Sequence, residues 1–396
     1  MDKSFDFIVV GKGMMGAAAA RHLTLKTSNI ALIGPDEPNN RADHEGVFSS
    51  HYDSGRVTRT IDGNADWALL ANRSIARYRA IEDQSGIGFY SETGCLMAGP
   101  LPGGPHDYLS PIMAVRDRLG VDAPLHSHVE MTDKFPWFHF PAGSAGVFEA
   151  KGAGHIDPRK LVRAQVACVT RAGGTVVASE VAKVTALADH AEVITKDGET
   201  YSAGKVLIAA GGFSVSQNLL PEPLDLVVLA RTIVLAEISE KDAARYSGMP
   251  SLIDETGTLA DHFYMVPPVR YPDGKLYIKI GGDPTDIELH GETAIRAWFR
   301  GEANAVAATH LERMLRRVIP EIEPVSVSSM PCVTTYTKHG YPYAGYTGNE
   351  NVAVLTGGNG AAAKSSDEIG RLGAKVLLDG RLDEPAYTTD FAVHFR

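Results

Sequence analysis

The sequence predicts an α/β fold in which a nucleotide-binding layer interleaves with a second, mixed-sheet α+β layer. Three strand-to-glycine junctions carry that prediction. Residues 5–21 (FDFIVVGKGMMGAAAAR) run from an apolar stretch through a glycine turn into an alanine-rich stretch of high helix propensity. Residues 205–210 (KVLIAA) end in Gly211-Gly212, and residues 351–356 end in Gly357-Gly358-Asn359-Gly360 ahead of a helical stretch. The junctions lie far apart, and no repeat or low-complexity linker divides the chain, so its domains interleave instead of following one another.

The first junction is the most specific. A strand, the turn Gly11-Lys12-Gly13-Met14-Met15-Gly16 and a helix make the opening of a Rossmann-like βαβ unit. Gly11 permits the tight turn. Gly13 leaves room for a pyrophosphate against the backbone, and Gly16 lets helix and strand pack closely. The free N–H groups and the positive end of the helix dipole then face the phosphates. The second strand is expected at 29–33, where an acidic residue often closes the strand and holds the adenosine ribose. Here Gly34-Pro35 stands in that place. The ribose falls to Asp36 or Glu37 reaching back, or to backbone alone.

The 396 residues suit two or three domains or one large interleaved unit, and 44% apolar content is ample for a core. A net charge of −10 argues against a general nucleic-acid or anionic-membrane binder, since both need a basic face. A local basic pocket for an acidic substrate stays open. Three cysteines at long spacings read as a cytosolic set and not as a disulfide framework, and no spacing suggests a metal site. The N-terminal apolar stretch is too short for a membrane span and lacks signal-peptide flanks, so the expected location is the cytoplasm.

Residues 39–66 are polar and without period, and a loop this long implies a task. Within it Arg56 and Arg59 are three apart, and a helical turn would place them on one side. They read either as two solvated arginines or as contacts to an anion. Residues 66–84 form an amphipathic helix with Trp67, Leu70, Ala71, Ile75, Tyr78 and Ile81 on one face. A strand is expected at 89–99 and a helix at 110–120. Asp157-Pro158 supplies an N-cap and a first helical residue, and Gly173-Gly174 stops that helix. Strands follow at 175–177, 184–187, 191–195, 226–238, 262–266 and 276–280. Residues 294–318 are helical with a break near Gly301, 325–337 are mixed, and 361–378 are helical.

Six segments in this order (GKGMMG, SSHYDSGRVTR, AAGGFS, KIGGD, CVTTYT and GGNGAAAKSS) resemble the flavin-dependent amino-acid oxidase (DAO) superfamily. The branch most similar is that of monomeric sarcosine oxidase and N-methyltryptophan oxidase. The resemblance spans nearly the whole chain. It implies an FAD-binding domain from residues 1–85, 150–225 and 325–396, and a substrate domain from 86–149 and 226–324. Cofactor contacts carried over are Gly11, Gly13, Met14, Met15 and Gly16 at the first turn, and Ser50, His51 and Arg56 in the loop. Val181, Gly211, Gly358, Asn359 and Gly360 complete the set, with Asp36 as a ribose candidate. Cys332 matches a cysteine bonded to the flavin 8α carbon in similar proteins, and a buried inert thiol is the plain alternative. Arg59 and Lys364 match a carboxylate clamp, with Tyr264 and Thr334 also on the substrate. Lys364 near a helix N-terminus is electrostatically misplaced unless it binds an anion. Lys279 matches a lysine that promotes reaction with oxygen; otherwise it alternates with Tyr277 and points to solvent.

The resemblance implies an FAD-dependent oxidase of a small secondary or N-alkylated amino acid: sarcosine-like, an imino-diacid or a cyclic imino acid. The C–N bond becomes an imine that hydrolyses, and O2 becomes H2O2. The partners are then a small amino acid and oxygen, with a monomer or homodimer as the assembly. Tyr52, Thr334 and Asp283 depart from the pattern, where the relatives carry histidine, tyrosine and histidine, so sarcosine itself fits poorly. No residue is assigned as general base. A flavin dehydrogenase passing electrons to a carrier shares nearly every motif, and a non-catalytic flavin-binding or nucleotide-binding protein shares the glycine turns.

Overall fold

The computed structural model describes residues 3–396. In chain order, the elements that place the site begin with β1 (Ser4–Val10), α1 (Met14–Thr24), β2 (Ile30–Ile33) and α2 (Ala65–Ser85). Next come α3 (Pro158–Arg171), β3 (Thr175–Val177), β4 (Thr200–Ile208) and β5 (Leu226–Ile238). They end with β6 (Ser251–Asp254), β7 (Phe263–Arg270), β8 (Leu276–Gly281), β9 (Ser326–Thr337), β10 (Val352–Thr356) and α4 (Ser366–Asp379).

β1 lies parallel between β2 and β4, with β3 outside β2 and β10 outside β4. Ile8, Val9, Leu32 and Leu207 are fully buried, so these strands read as continuous apolar runs and not as alternating ones. Helices α1, α3 and α4 cover one face of this sheet. The alanine run of α1 is a packing surface: a Cβ on Gly370 would sit 2.5 Å from the Ala18 Cβ. Asp367, at the start of α4, ties the helices together. It is fully buried and accepts from Arg21 at 2.7 Å, Gln165 at 2.9 Å and Arg77 at 2.5 Å. Burial pushes its carboxyl up; His22, Arg21 and Arg77 outweigh burial and hold it well below the usual range.

The second sheet has nine strands. β5 runs antiparallel to β8 on one side and to β9 along almost its whole length on the other. β7 follows β8, and β6 follows β7, both antiparallel. Helix Ala305–Val318 buries Leu311, Met314 and Leu315 against Val234, Ala236 and Ile278.

Four differences from the expected elements bear on the site. Residues 326–337, expected as a mixed stretch in the FAD-binding segment, form a strand of the second sheet. Arg56–Thr58 is extended and pairs with Gly154–Ile156, so no helical turn brings Arg56 and Arg59 to one side. The strand expected at 89–99 is divided by Gly94, whose φ is +81°. The last helix starts at Ser366, which leaves Lys364 in the turn ahead of it. A short helix, His128–Lys134, was not expected, although Ser127 and Glu130 spell its capping box. No helix among the described residues is long and apolar enough to cross a membrane.

Replacing Asp367 by Ala leaves Arg21 without an acidic partner in the helical layer and Arg77 with Glu368 alone. Urea unfolding is expected to show a loss of about 3–5 kcal/mol, the usual cost of breaking a buried ion pair; a loss within about 1 kcal/mol contradicts the assigned role.

Candidate active site

A cavity of ≈ 600 Å³ opens where the C-terminal ends of β1, β2, β4 and β10 meet one face of the second sheet. Carboxyl ends of parallel strands are where an open α/β sheet takes its ligands. At this end the sequence dictates a bare helix terminus. α1 has no capping side chain and no acidic residue in its first turn, so its leading N–H groups are left for an anion. Gly11 has φ +111°, and a Cβ there would lie 2.3 Å from the Ala209 carbonyl oxygen. Gly13, Met14 and Met15 line the cavity, while Gly16 sits behind them, packed on the Gly11 carbonyl. Val181, Gly211, Gly358 and Gly360 line it further along.

The loop after β2 forms one wall. Ser50 and His51 line the cavity, and Ser50 Oγ donates to the Val333 carbonyl at 3.0 Å, which fastens the loop to β9. Asp53 is buried beneath it and accepts from Arg56, Lys279, the Tyr271 hydroxyl at 2.6 Å and the Ser54 amide at 2.8 Å. Burial raises its carboxyl, but Arg56 and Lys279 prevail and hold it far below the usual range. Arg56 also points Nη2 at Cys332 Sγ, 3.5 Å away, and at the Ser50 carbonyl. Of the three cysteines, Cys332 alone lines the cavity.

The other end carries the substrate candidates. Arg59 Nη1 donates to the Ile61 carbonyl at 2.5 Å and to Asp62 Oδ2 at 2.9 Å. Lys364 Nζ lies 3.2 Å from the same Asp62 oxygen. Burial raises the Asp62 carboxyl, and Arg59 and Lys364 overcome it, pulling it down to about 2. Arg59 Nε and Nη2 make no hydrogen bond with the described residues. Tyr264 and Thr334 line the cavity, and the Thr334 hydroxyl is buried without a partner.

Besides Gly16, three expected contacts take other places. Asp36 does not line the cavity: its carboxylate is exposed and paired with Lys12, and Glu37 is held by Arg159 at 2.6 Å, so neither acid is free for a ribose. Asn359 supports its turn instead, donating to the Gly357 carbonyl at 2.7 Å and accepting from the Thr337 amide at 3.0 Å. Lys279 stands on the cavity face of β8 but one layer behind the lining, fully buried between Asp53 and the Gly55 carbonyl at 2.7 Å. Sequence reasoning missed Asp53, Asp62, Glu255 and Arg231; the last two line the cavity.

A model of the DAO family, FAD dependent oxidoreductase, matches residues 6–376. The chain belongs to this family. Its residues fit FAD on their own terms: a bare helix N-terminus, two further glycine turns along one cavity, and Cys332 with Arg56 beyond them. The N-methyl-L-tryptophan oxidase of Yersinia pestis (strain Pestoides F) is 24% identical over 361 residues, covering 86% of this chain and 92% of that protein. In fold, the DAO-family chain is similar to NikD, an amino acid oxidase essential for nikkomycin biosynthesis, with TM-score 0.76, 20% identity and coverage of 99% and 98%. Glycine oxidase from Geobacillus kaustophilus follows with TM-score 0.73, 17% identity and the same coverage. The protein is an FAD-dependent oxidoreductase with a Rossmann-like cofactor layer and a mixed second sheet.

His51 offers a pH test of this wall. Burial, then Arg159, Lys12 and Arg56, push its imidazole down to about 3. The unfolded ring titrates near 6.5, so the unfolded chain binds the extra proton between these values and stability falls as pH drops through that window. Between pH 7 and 4.5 the wild type should lose about 2–3 kcal/mol more than His51→Gln in urea unfolding. Equal losses contradict the assignment.

Proposed function

We propose that this protein oxidises a small secondary or N-alkylated amino acid at the carbon next to nitrogen. The product is an imine that hydrolyses in water, and oxygen is reduced to hydrogen peroxide. The observation that carries this reading is the convergence of Arg59 Nη1 and Lys364 Nζ on one carboxylate oxygen, at 2.9 and 3.2 Å. Asp62 supplies that oxygen, and a substrate carboxylate has the same charge and shape. Two cations in a desolvated pocket bind a carboxylate by charge-assisted hydrogen bonds and fix the attached α-carbon. The related proteins, named for oxidation of N-methyltryptophan, glycine or other amino acids, support the same substrate class.

Bound FAD supplies the two-electron acceptor for the C–N oxidation. The remaining work belongs to the chain. The bare end of α1 and the Gly11–Gly13 turn hold the phosphates. Arg56, fixed by Asp53, sits beside Cys332 and keeps positive charge at that end of the cavity. Arg59 and Lys364 hold the carboxylate at the other. Thr334 offers a hydroxyl with no protein partner, ready for a substrate polar atom. The departure of Asp283 from histidine gives this wall a carboxyl that burial pushes up to about 6 against the Thr232 amide and Arg231.

One observation favours a second reading, a dehydrogenase that passes electrons to a carrier. Lys279, the residue matched to oxygen activation, is neutralised by Asp53 and lies behind the cavity lining. Hydrogen peroxide formed per amino acid oxidised in air separates the two. The oxidase reading expects one peroxide per substrate; none, with fast reduction of an artificial dye, overturns it in favour of the dehydrogenase.

The position of Cys332 supports a thioether to the cofactor. Acid precipitation of the wild type is expected to leave flavin in the protein pellet, whereas Cys332→Ala releases it. Free flavin from the wild type contradicts the bond.

A further inference from the structure

One cavity carboxylate has no role in the binding described above. β6 and β7 are antiparallel with Ile253 opposite Tyr264, and the next residues on the same side, Glu255 and His262, line the cavity together. The backbone places Glu255 firmly, since its amide donates to the Ala98 carbonyl at 2.9 Å. Its side chain is otherwise free. Among the described residues no hydrogen bond reaches the carboxylate, and its nearest charged-type partner is His262 Nδ1 at 3.6 Å, an imidazole that burial pushes down and that forms an ion pair only when protonated. The two side chains are 30% and 28% exposed, and the chain between them runs out to the exposed residues 258–260. The charged groups that act on Glu255 are Arg59, which pulls its carboxyl down, and Asp254 and Asp62, which push it up. Burial is the largest influence, and the carboxyl stands at about 7.

The chemistry of the substrate class calls for such a group. A secondary ammonium has no lone pair, so its nitrogen must lose a proton before the neighbouring carbon can be oxidised. In an α-amino acid the nitrogen and the carboxylate share the α-carbon. A proton acceptor must therefore face the carboxylate clamp, which Glu255 does through Arg59. The other two carboxylates of the cavity are engaged: both oxygens of Asp283 accept from the Thr232 amide, at 3.0 and 3.1 Å, and Glu180 is paired with Lys196 and Arg296.

We propose that Glu255 is the catalytic base that takes the proton from the substrate ammonium, with His262 passing it to solvent. The assignment rests on the amino-acid reading above. The N–H bond breaks, the electron pair stays on nitrogen, and the proton converts the Glu255 carboxylate to the acid. Transfer to His262 or water restores the carboxylate, so no redox partner is needed for this step. A base whose acid and carboxylate forms coexist near neutrality suits that cycle.

The test uses the holoenzyme, an N-methyl amino acid that bleaches the flavin, and the matching thioether acid, in which sulfur replaces nitrogen. Anaerobic flavin reduction is followed against pH, and thioether affinity is read from flavin difference spectra. In the wild type, reduction should rise with pH through about 7, and thioether binding should weaken over the same range as Glu255 becomes an anion. In Glu255→Gln, reduction should fall about 100-fold or more, with both pH dependences lost and thioether affinity at pH 6 within about threefold of wild type. Glu255→Asp should restore part of the rate.

Unchanged reduction and pH profile in Glu255→Gln overturn the proposal while leaving the substrate class intact. A loss of thioether binding as large as the loss of rate also overturns it, because that marks a structural role. If no N-substituted amino acid bleaches the wild-type flavin, both the function and the role of Glu255 are contradicted.

Discussion

The buried carboxylate of Asp53 holds the site together. It belongs to the loop that leaves the cofactor layer, yet it accepts hydrogen bonds from Lys279 on β8 and from Tyr271 just beyond β7, both in the second layer. A carboxylate buried this deeply is costly unless cations and hydrogen bonds answer it, and Arg56, Lys279, Tyr271 and the Ser54 amide do so together. The arrangement locks the loop against the sheet. Arg56 is thereby directed at Cys332, and Lys279 is kept behind the lining. The cavity therefore has glycine turns on one side and polar side chains of the mixed sheet on the other.

Charge is distributed along the cavity by the same logic. The whole chain carries −10, but the cavity is lined by Lys12, Arg56, Arg59, Arg231 and Lys364. Those cations suit a ligand with phosphates at one end and a substrate with a carboxylate at the other. Three of them are answered by buried or half-buried acids of the chain itself, Asp53 for Arg56 and Asp62 for Arg59 and Lys364. On the proposed reading a substrate carboxylate meets donors that are already ordered, which limits the entropy lost on binding.

The parts of this fold that backbone geometry dictates were legible in the sequence. The Gly11–Gly16 turn, the Asp157-Pro158 helix start and the apolar strands at 205–208 and 226–238 each announce themselves by local residue type, and each forms where expected. Membership of the cavity lining was legible only where a motif carried it, as at Arg59, Cys332 and Lys364. Asp53, Asp62 and Glu255 were not, because an acid's role depends on what lies beside it in space. Asp53 and Lys279 are 226 residues apart, and nothing along the chain couples them. The acids expected near the ribose take their places for a related reason: Asp36 pairs with Lys12 and Glu37 with Arg159.

The claim on which everything else rests is that Arg59 and Lys364 hold a carboxylate next to the carbon that is oxidised. The most direct measurement compares anaerobic flavin bleaching by an N-methyl amino acid with bleaching by the same amine lacking its carboxyl group. The account predicts rapid bleaching by the acid and a rate at least about 100-fold lower for the amine, as expected when a charged anchor is lost. Bleaching at equal rates, or faster by the amine, would contradict it.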